Sequence, residues 1–191
     1  MPSGPRRQPA FRDLIRAFVT GVEQLSRRDQ IKMTDTEVHA FLADERTVTC
    51  ATNGSRGWPH TMPLWYVLRD APTGEPGPRL WAWTYAASQK ARNLERDPRA
   101  TLQVEAGEQY HELRGVMIEC EAILHDDLET VRGVGMEIFR RYVSPRGRPP
   151  ASELPDEVAA MVSSQAHKRV GLEFLERRRA TWDHRKLGER Y

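Results

Sequence analysis

The chain has 191 residues, of which 29% are charged, and its 29 Lys and Arg nearly balance 27 Asp and Glu for a formal net charge of +2. That length fits one domain with one core, and the near-neutral balance excludes a dedicated nucleic-acid binder, which would carry a concentrated positive excess. No stretch approaches the roughly 18 apolar residues that a membrane span needs.

The first nine residues are rich in Pro, Arg and Gly and read as disordered, with no apolar segment of a secretory signal; a cytoplasmic location is the default. Phe11, Leu14, Ile15, Phe18, Val19, Val22 and Leu25 follow helical spacing, which predicts an amphipathic helix over 10–28. Residues 1–30 are therefore expected to form an N-terminal extension, and residues 31–191 one domain. Thr34 with Glu37 makes a capping box for a short helix that ends near Ala43.

Residues 46–52 and 61–68 read as two strands of a hairpin, joined by "NGSRGWPH". Pro59 and Pro63 bracket a segment that cannot donate fully to a ladder, as on an edge strand or beside a ligand. A second Pro/Gly turn leads to the strand "LWAWTY" at 80–85, where alternation puts Trp81, Trp83 and Tyr85 on one face and Thr84 on the other. These aromatics suit a flat ligand and equally suit a core. A helix begins near Ser88; strands follow at 100–106 and 115–124. Asp126 and Asp127 can cap a helix carrying Leu128, Val131, Val134, Ile138 and Phe139. A loop at 144–155, a short helix from Asp156 and a last strand at 169–182 complete the order. Strands that are mostly sequence neighbours, with helices between, predict a mostly β fold with flanking helices: an antiparallel sheet closing into a barrel.

Ser88 is placed as an N-cap, with Lys90 in the first turn. A helix start favours an anion through its free N–H groups and dipole. A lysine there is worth little on a convex surface and several kcal/mol in a cleft. By itself, the motif fits a capped helix with a solvated basic face better than an anion site. His60 alone suits a structural role better than a catalytic one, and Arg177–Arg179 a solvated strand end. Asp183 and His184 are adjacent on a strand and point apart, so they do not make a ready dyad. Cys50 and Cys120 lie in apolar runs and read as buried thiols; the sequence carries no zinc spacing and no metal site is expected. GxGxxG after a strand, a P-loop, GxSxG and HExxH are all missing.

Taken in order, "FLADERTVTCATNGSRGWPHTMPLWY", "LWAWTYAASQKARNLERDPRATLQVE" and "LRGVMIECEAIL" resemble the pyridoxamine 5'-phosphate oxidase-like superfamily, and within it the actinobacterial flavin/deazaflavin-dependent oxidoreductases. The likeness covers roughly residues 32–125, and "ATWDHRKL" near the end fits the same branch. It implies a split β-barrel that works as a homodimer, with a flavin-type cofactor between subunits. By the same resemblance, Met62, Pro63, Leu64 and Trp65 would face the ring, while Trp83, Thr84, Ser88, Gln89 and Lys90 would hold the phosphate. Trp182 of a second copy would sit near the ring. The redox chemistry would be the cofactor's, with no protein acid or base assigned. Two departures bear on its identity. The vitamin B6 oxidases carry two adjacent basic residues in the turn and an arginine on the preceding strand; here Gln89 stands beside a single Lys90, and Met62 lies near that arginine's place. Fewer cations suit the singly charged phosphodiester of coenzyme F420 better than the monoester of FMN. The expectation is thus an F420-dependent reductase of a small organic acceptor. FMN is the alternative cofactor, and a non-catalytic module for flavin, deazaflavin or haem the alternative role. The terminal "WDHRK" also departs from the basic ending of the B6 oxidases.

Overall fold

The structure, a computed structural model, describes residues 26–73 and 77–188. The chain divides into two units, Met1–Gln30 and Ile31–Tyr191. The amphipathic helix expected over 10–28 lies outside the described residues except for its last three positions. Of the first unit, the described part is a single helical turn, α1 (Arg27–Gln30), where the Ser26 hydroxyl accepts from Asp29 N at 3.2 Å.

In the second unit, six strands form a closed antiparallel barrel in the order β1-β2-β3-β6-β5-β4. They are β1 (Thr47–Asn53), β2 (Pro59–Arg69), β3 (Arg79–Tyr85), β4 (Arg99–Ala106), β5 (Arg114–His125) and β6 (Arg169–Asp183). The helices are α2 (Asp35–Asp44), α3 (Gln89–Arg96), α4 (Leu128–Val143) and α5 (Asp156–Ala166). The expected antiparallel barrel with flanking helices is the observed fold, and the expected hairpin is β1–β2.

Alternation explains the two layers of core. Val48, Cys50, Tyr66, Leu80, Ala82, Leu102, Val116 and Leu172 turn into the barrel. Helix α2 plugs one end with Val38, Phe41 and Leu42, held at its start by the Thr34–Glu37 capping box. At the other end α3 inserts Ala91 and Leu94. The opposite faces of β2 and β3 carry Val67, Trp81 and Trp83, which Val131, Val134, Ile138, Val162 and Ala166 of α4 and α5 cover. Asp127 caps α4, its carboxylate accepting from Thr130 N at 2.8 Å. Both thiols are buried, as expected; burial pushes Cys50 up to about 11, against the pull of nearby Lys90.

One ladder is short. β2 pairs with β3 only from Tyr66↔Ala82 to Arg69↔Arg79, whereas β1 holds β2 from Thr47↔Trp65 to Asn53↔Pro59. Residues 59–65 of β2 therefore leave one edge unpaired, and the barrel opens in a seam between them and the Trp83–Tyr85 end of β3. This is the split in the barrel.

Candidate cofactor-binding site

Within β2, the side chains of His60, Met62 and Leu64 lie on the inner face, because they pair with Thr52, Cys50 and the buried Val48. Leu64 packs against the barrel core, while Met62 remains 47% exposed because no strand stands beside it at the seam. Backbone direction alternates in the same way. The N–H of Tyr66 donates to the Tyr142 hydroxyl at 3.1 Å, and its carbonyl accepts from Arg141 Nη1 at 2.7 Å; both partners also bind carbonyls in the segment before β1. Even-numbered residues of β2 thus turn their peptide groups towards β1, and Thr61, Pro63 and Trp65 turn theirs to the open seam. Pro63 has no N–H to offer there, which is how an edge strand accommodates it. The Trp65 side chain points outward, half exposed, and stacks on Tyr142 with ring centroids 4.3 Å apart.

Across the seam, Thr84 shares the inner face with Leu80 and Ala82, and its hydroxyl lies 3.3 Å from Ser88 Oγ. Ser88 caps α3, accepting from Ala91 N at 3.2 Å. One turn on, Gln89 Nε2 donates to Asn93 Oδ1 at 2.8 Å, and Asn93 Nδ2 donates to Thr52 Oγ1 at 3.0 Å, which fixes α3 to β1. Gln89 is thereby committed to the helix.

Lys90 is the unusual residue. It is 4% exposed, and its ammonium makes no hydrogen bond or ion pair among the described residues. Burial lowers its pKa, with Cys50 pulling weakly the other way. Its stem is buried while its ammonium, absent from the occluded unpaired atoms, keeps solvent access, so the charge is held in place and available to an anion. The local geometry supplies a capped helix start, free first-turn amides and this ammonium beside an open seam, which together suit a phosphate.

Two expected site residues lie elsewhere in the single chain. The Trp83 ring faces away from Thr84, 8% exposed beneath α4, where a Cβ added at Gly135 would strike it. Alternation correctly grouped it with Trp81 and Tyr85, but that face is covered by helices. Trp182 pairs with Gly115, whereas Thr84 pairs with Val170 at the opposite end of β6. From residue 170 to 182 is roughly 40 Å of strand, so Lys90 and Trp182 of one chain stand at opposite ends of the barrel. The Trp182 ring covers Gly115 so closely that an added Cβ would overlap it. We expect Gly115→Ala to displace the indole at a cost of about 1–3 kcal/mol, visible as a changed tryptophan emission and an earlier urea midpoint; an unchanged spectrum would mean that the ring has room to spare.

The chain end is organised differently from a His–Asp dyad. Asp183 is held low by Arg185, which meets its carboxylate at 2.8 and 2.6 Å, while His184 Nδ1 lies 2.9 Å from Tyr110 O. His60 has one ring nitrogen, Nδ1, buried without a hydrogen bond. Among the described residues no group of His, Cys, Asp or Glu could hold a metal ion, and no helix is long and apolar enough to cross a membrane. Three cavities of about 530, 430 and 430 Å³ lie elsewhere on the chain, and none of the three takes in Met62, Trp65, Ser88 or Lys90.

A family model described as pyridoxamine 5'-phosphate oxidase matches residues 34–163. A conserved hypothetical protein of Mycobacterium tuberculosis is 37% identical, over 87% of this chain and 94% of that one, with a TM-score of 0.73. Two more distant structures, each 17% identical, share the fold: an F420 reductase (74% of this chain, 94% of that chain, TM-score 0.52) and a FAD-binding protein of Mesorhizobium loti (78% and 94%, TM-score 0.54). No curated protein matches the sequence.

Proposed function

The chain belongs to the pyridoxamine 5'-phosphate oxidase family, and on that premise we propose that it is an oxidoreductase that holds a flavin-type cofactor, coenzyme F420, in the seam between β2 and β3. When bound, the cofactor supplies hydride transfer to a small unsaturated or conjugated organic acceptor. The observation that carries this reading is Lys90, a residue only 4% exposed whose ammonium has no protein partner among the described residues and still reaches solvent, beside the N-terminus of α3.

The residues of the chain then divide the work. Ser88, the first-turn amides and Lys90 receive the phosphate, with Thr84 steadying Ser88. The peptide groups that β2 turns to the seam meet the edge of the ring, and Met62 and Leu64 offer it an apolar flank. Trp65 stays outside on Tyr142, so its contribution is its backbone rather than its ring. Trp83 acts from beneath, setting the level of β3 for Thr84. Trp182 is too far along β6 to join its own chain's Lys90, which favours a homodimer in which a second copy supplies the indole. No side chain at the seam is assigned as acid or base, since positioning and electrostatics suffice for hydride transfer.

Charge count favours F420 over FMN. Lys90 offers one ammonium; its sequence neighbour Gln89 is neutral and already bonded to Asn93, and Met62 adds no charge. A singly charged diester needs no second cation, whereas a monoester near two charges is left under-compensated. The test is a side-by-side titration of the full chain with F420 and FMN, followed by single-turnover oxidation of the bound reduced cofactor by an acceptor panel. Tighter F420 binding and acceptor-dependent oxidation are expected. FMN binding alone would move the cofactor assignment to FMN, and binding of either without oxidation by any acceptor would make the protein a carrier.

A further inference from the structure

Arg169 opens β6 opposite Tyr85, on the outer face of β3. Its guanidinium carbon lies 4.1 Å from the centroid of the Tyr85 ring and 4.3 Å from that of Trp83. Stacking of this kind fixes the plane of an arginine while leaving its edge free. Among the described residues the guanidinium makes no hydrogen bond and no ion pair. Its Nε is occluded without an acceptor, but Nη1 and Nη2 are not, so the terminal pair reaches the surface.

The surroundings hold this arrangement in place. Tyr85 donates its hydroxyl to Gln165 Oε1 on α5 at 3.3 Å, and Trp83 is locked beneath α4. Ala86 N donates to the carbonyl of the exposed Lys168 at 3.0 Å, tying the start of β6 to the turn before Ser88. The Tyr85 ring remains 49% exposed beside the guanidinium. The guanidinium is clamped by two rings and meets no carboxylate among the described residues.

We propose that Arg169, with Tyr85 as a flat flank, binds the carboxylate of a small organic acid with an aromatic or otherwise planar body. Two terminal N–H groups in one plane match two carboxylate oxygens, and the exposed phenol ring offers a face to the rest of the ligand. One guanidinium suits a monoanion better than a doubly charged phosphate. The site faces away from Thr84 and the inner face of the seam, so it stands whether or not a cofactor binds there. The carboxylate can belong to a free acid or to a larger ligand that is seated in the seam and passes round the turn at 86–88.

Benzoate serves as the probe, titrated into the full chain by calorimetry and by NMR of the aromatic ring protons. Saturable binding is expected, with shifts on Tyr85 and Trp83, weakened at least tenfold in Arg169→Gln and several-fold in Arg169→Lys, which keeps a charge but loses the paired donors. Repeating the titration with F420 at saturation separates the sources: undiminished benzoate binding identifies a free acid, and exclusion identifies a carboxylate of the seated ligand. Absence of saturable binding, equal binding by Arg169→Gln, or the same response to chloride at matched ionic strength would overturn the proposal. Should Arg169→Gln fail to fold, Arg169→Lys and the ring shifts of the native chain decide the matter.

Discussion

Replacing Arg141 with alanine is expected to destabilise the fold by about 3–5 kcal/mol, since it strands several backbone carbonyls at about 1–3 kcal/mol each, partly recovered by relaxation. Arg141 is 9% exposed, and its guanidinium binds four carbonyls: Tyr66 O at 2.7 Å, Leu42 O and Ala43 O at 2.9 Å, and Glu45 O at 2.6 Å. It thus satisfies the carbonyl end of α2 and pins α2, β2 and α4 together, with its plane 4.5 Å from the Tyr66 ring. Truncation strands those acceptors in a place that water reaches poorly. For a chain of this size the loss corresponds to a fall of roughly 10 °C in Tm. Arg141→Lys should recover little, because one ammonium cannot serve both Tyr66 O and the helix end. A loss under about 1 kcal/mol would show that Tyr66, whose hydroxyl already lies 2.6 Å from Leu42 O and 2.7 Å from Glu45 O, holds the junction unaided.

The second large effect concerns Lys90. Lys90→Ala should weaken cofactor binding at least tenfold, about 1.4 kcal/mol; unchanged affinity by fluorescence titration of a folded variant would remove Lys90 from the site. The same residue should weaken the ligand-free fold. Lys90→Met, which keeps the length of the chain and discards the charge, is expected to stabilise the free protein by up to about 1 kcal/mol, the low end of the cost of a polar group withheld from water without a partner, seen as a higher urea midpoint. Cofactor binding and intrinsic stability therefore move in opposite directions on one substitution. The pH dependence follows from the lowered pKa. Between the folded value and the ordinary one near 10.5, the unfolded chain holds the proton and the folded chain has released it. Stability of the free protein should rise with pH across that window, and the penalty is fully present below it. Cofactor affinity should fall over the same range, as the ammonium loses its charge. Lys90→Met should flatten both trends.

Much of this was legible in the sequence because local rules decide it. The Thr34 capping box, the Ser88 and Asp127 caps and the β1–β2 hairpin all appear where spacing put them. What alternation could not say is what covers a face: Trp83 shares its side with Trp81 and Tyr85, yet only α4 and α5, more than 40 residues later, make that side a core. The length of a ladder is similarly invisible, since the seam exists because β2 and β3 pair no further than Tyr66↔Ala82 while β3 goes on pairing with β6. Arg141 left a trace that went unread. It extends the stripe of Val134 and Ile138 by one turn, and a charge on a buried stripe announces a long-range partner. Arg169 left none, because its isolation depends on the absence of acids on elements distant in sequence.

The unpaired edge of β2 has a consequence for how the protein survives at high concentration. An unpaired edge on which Thr61, Pro63 and Trp65 turn their peptide groups outward would ordinarily invite another strand and seed intermolecular sheet growth. Here Pro59 and Pro63 interrupt the pattern of donors that an incoming strand must match, and the half-buried start of α3 stands across the gap. A ligand needs only one or two of the remaining groups, whereas an aggregating neighbour needs the whole row. The prolines thus act as gatekeepers, leaving the edge closed to its own kind.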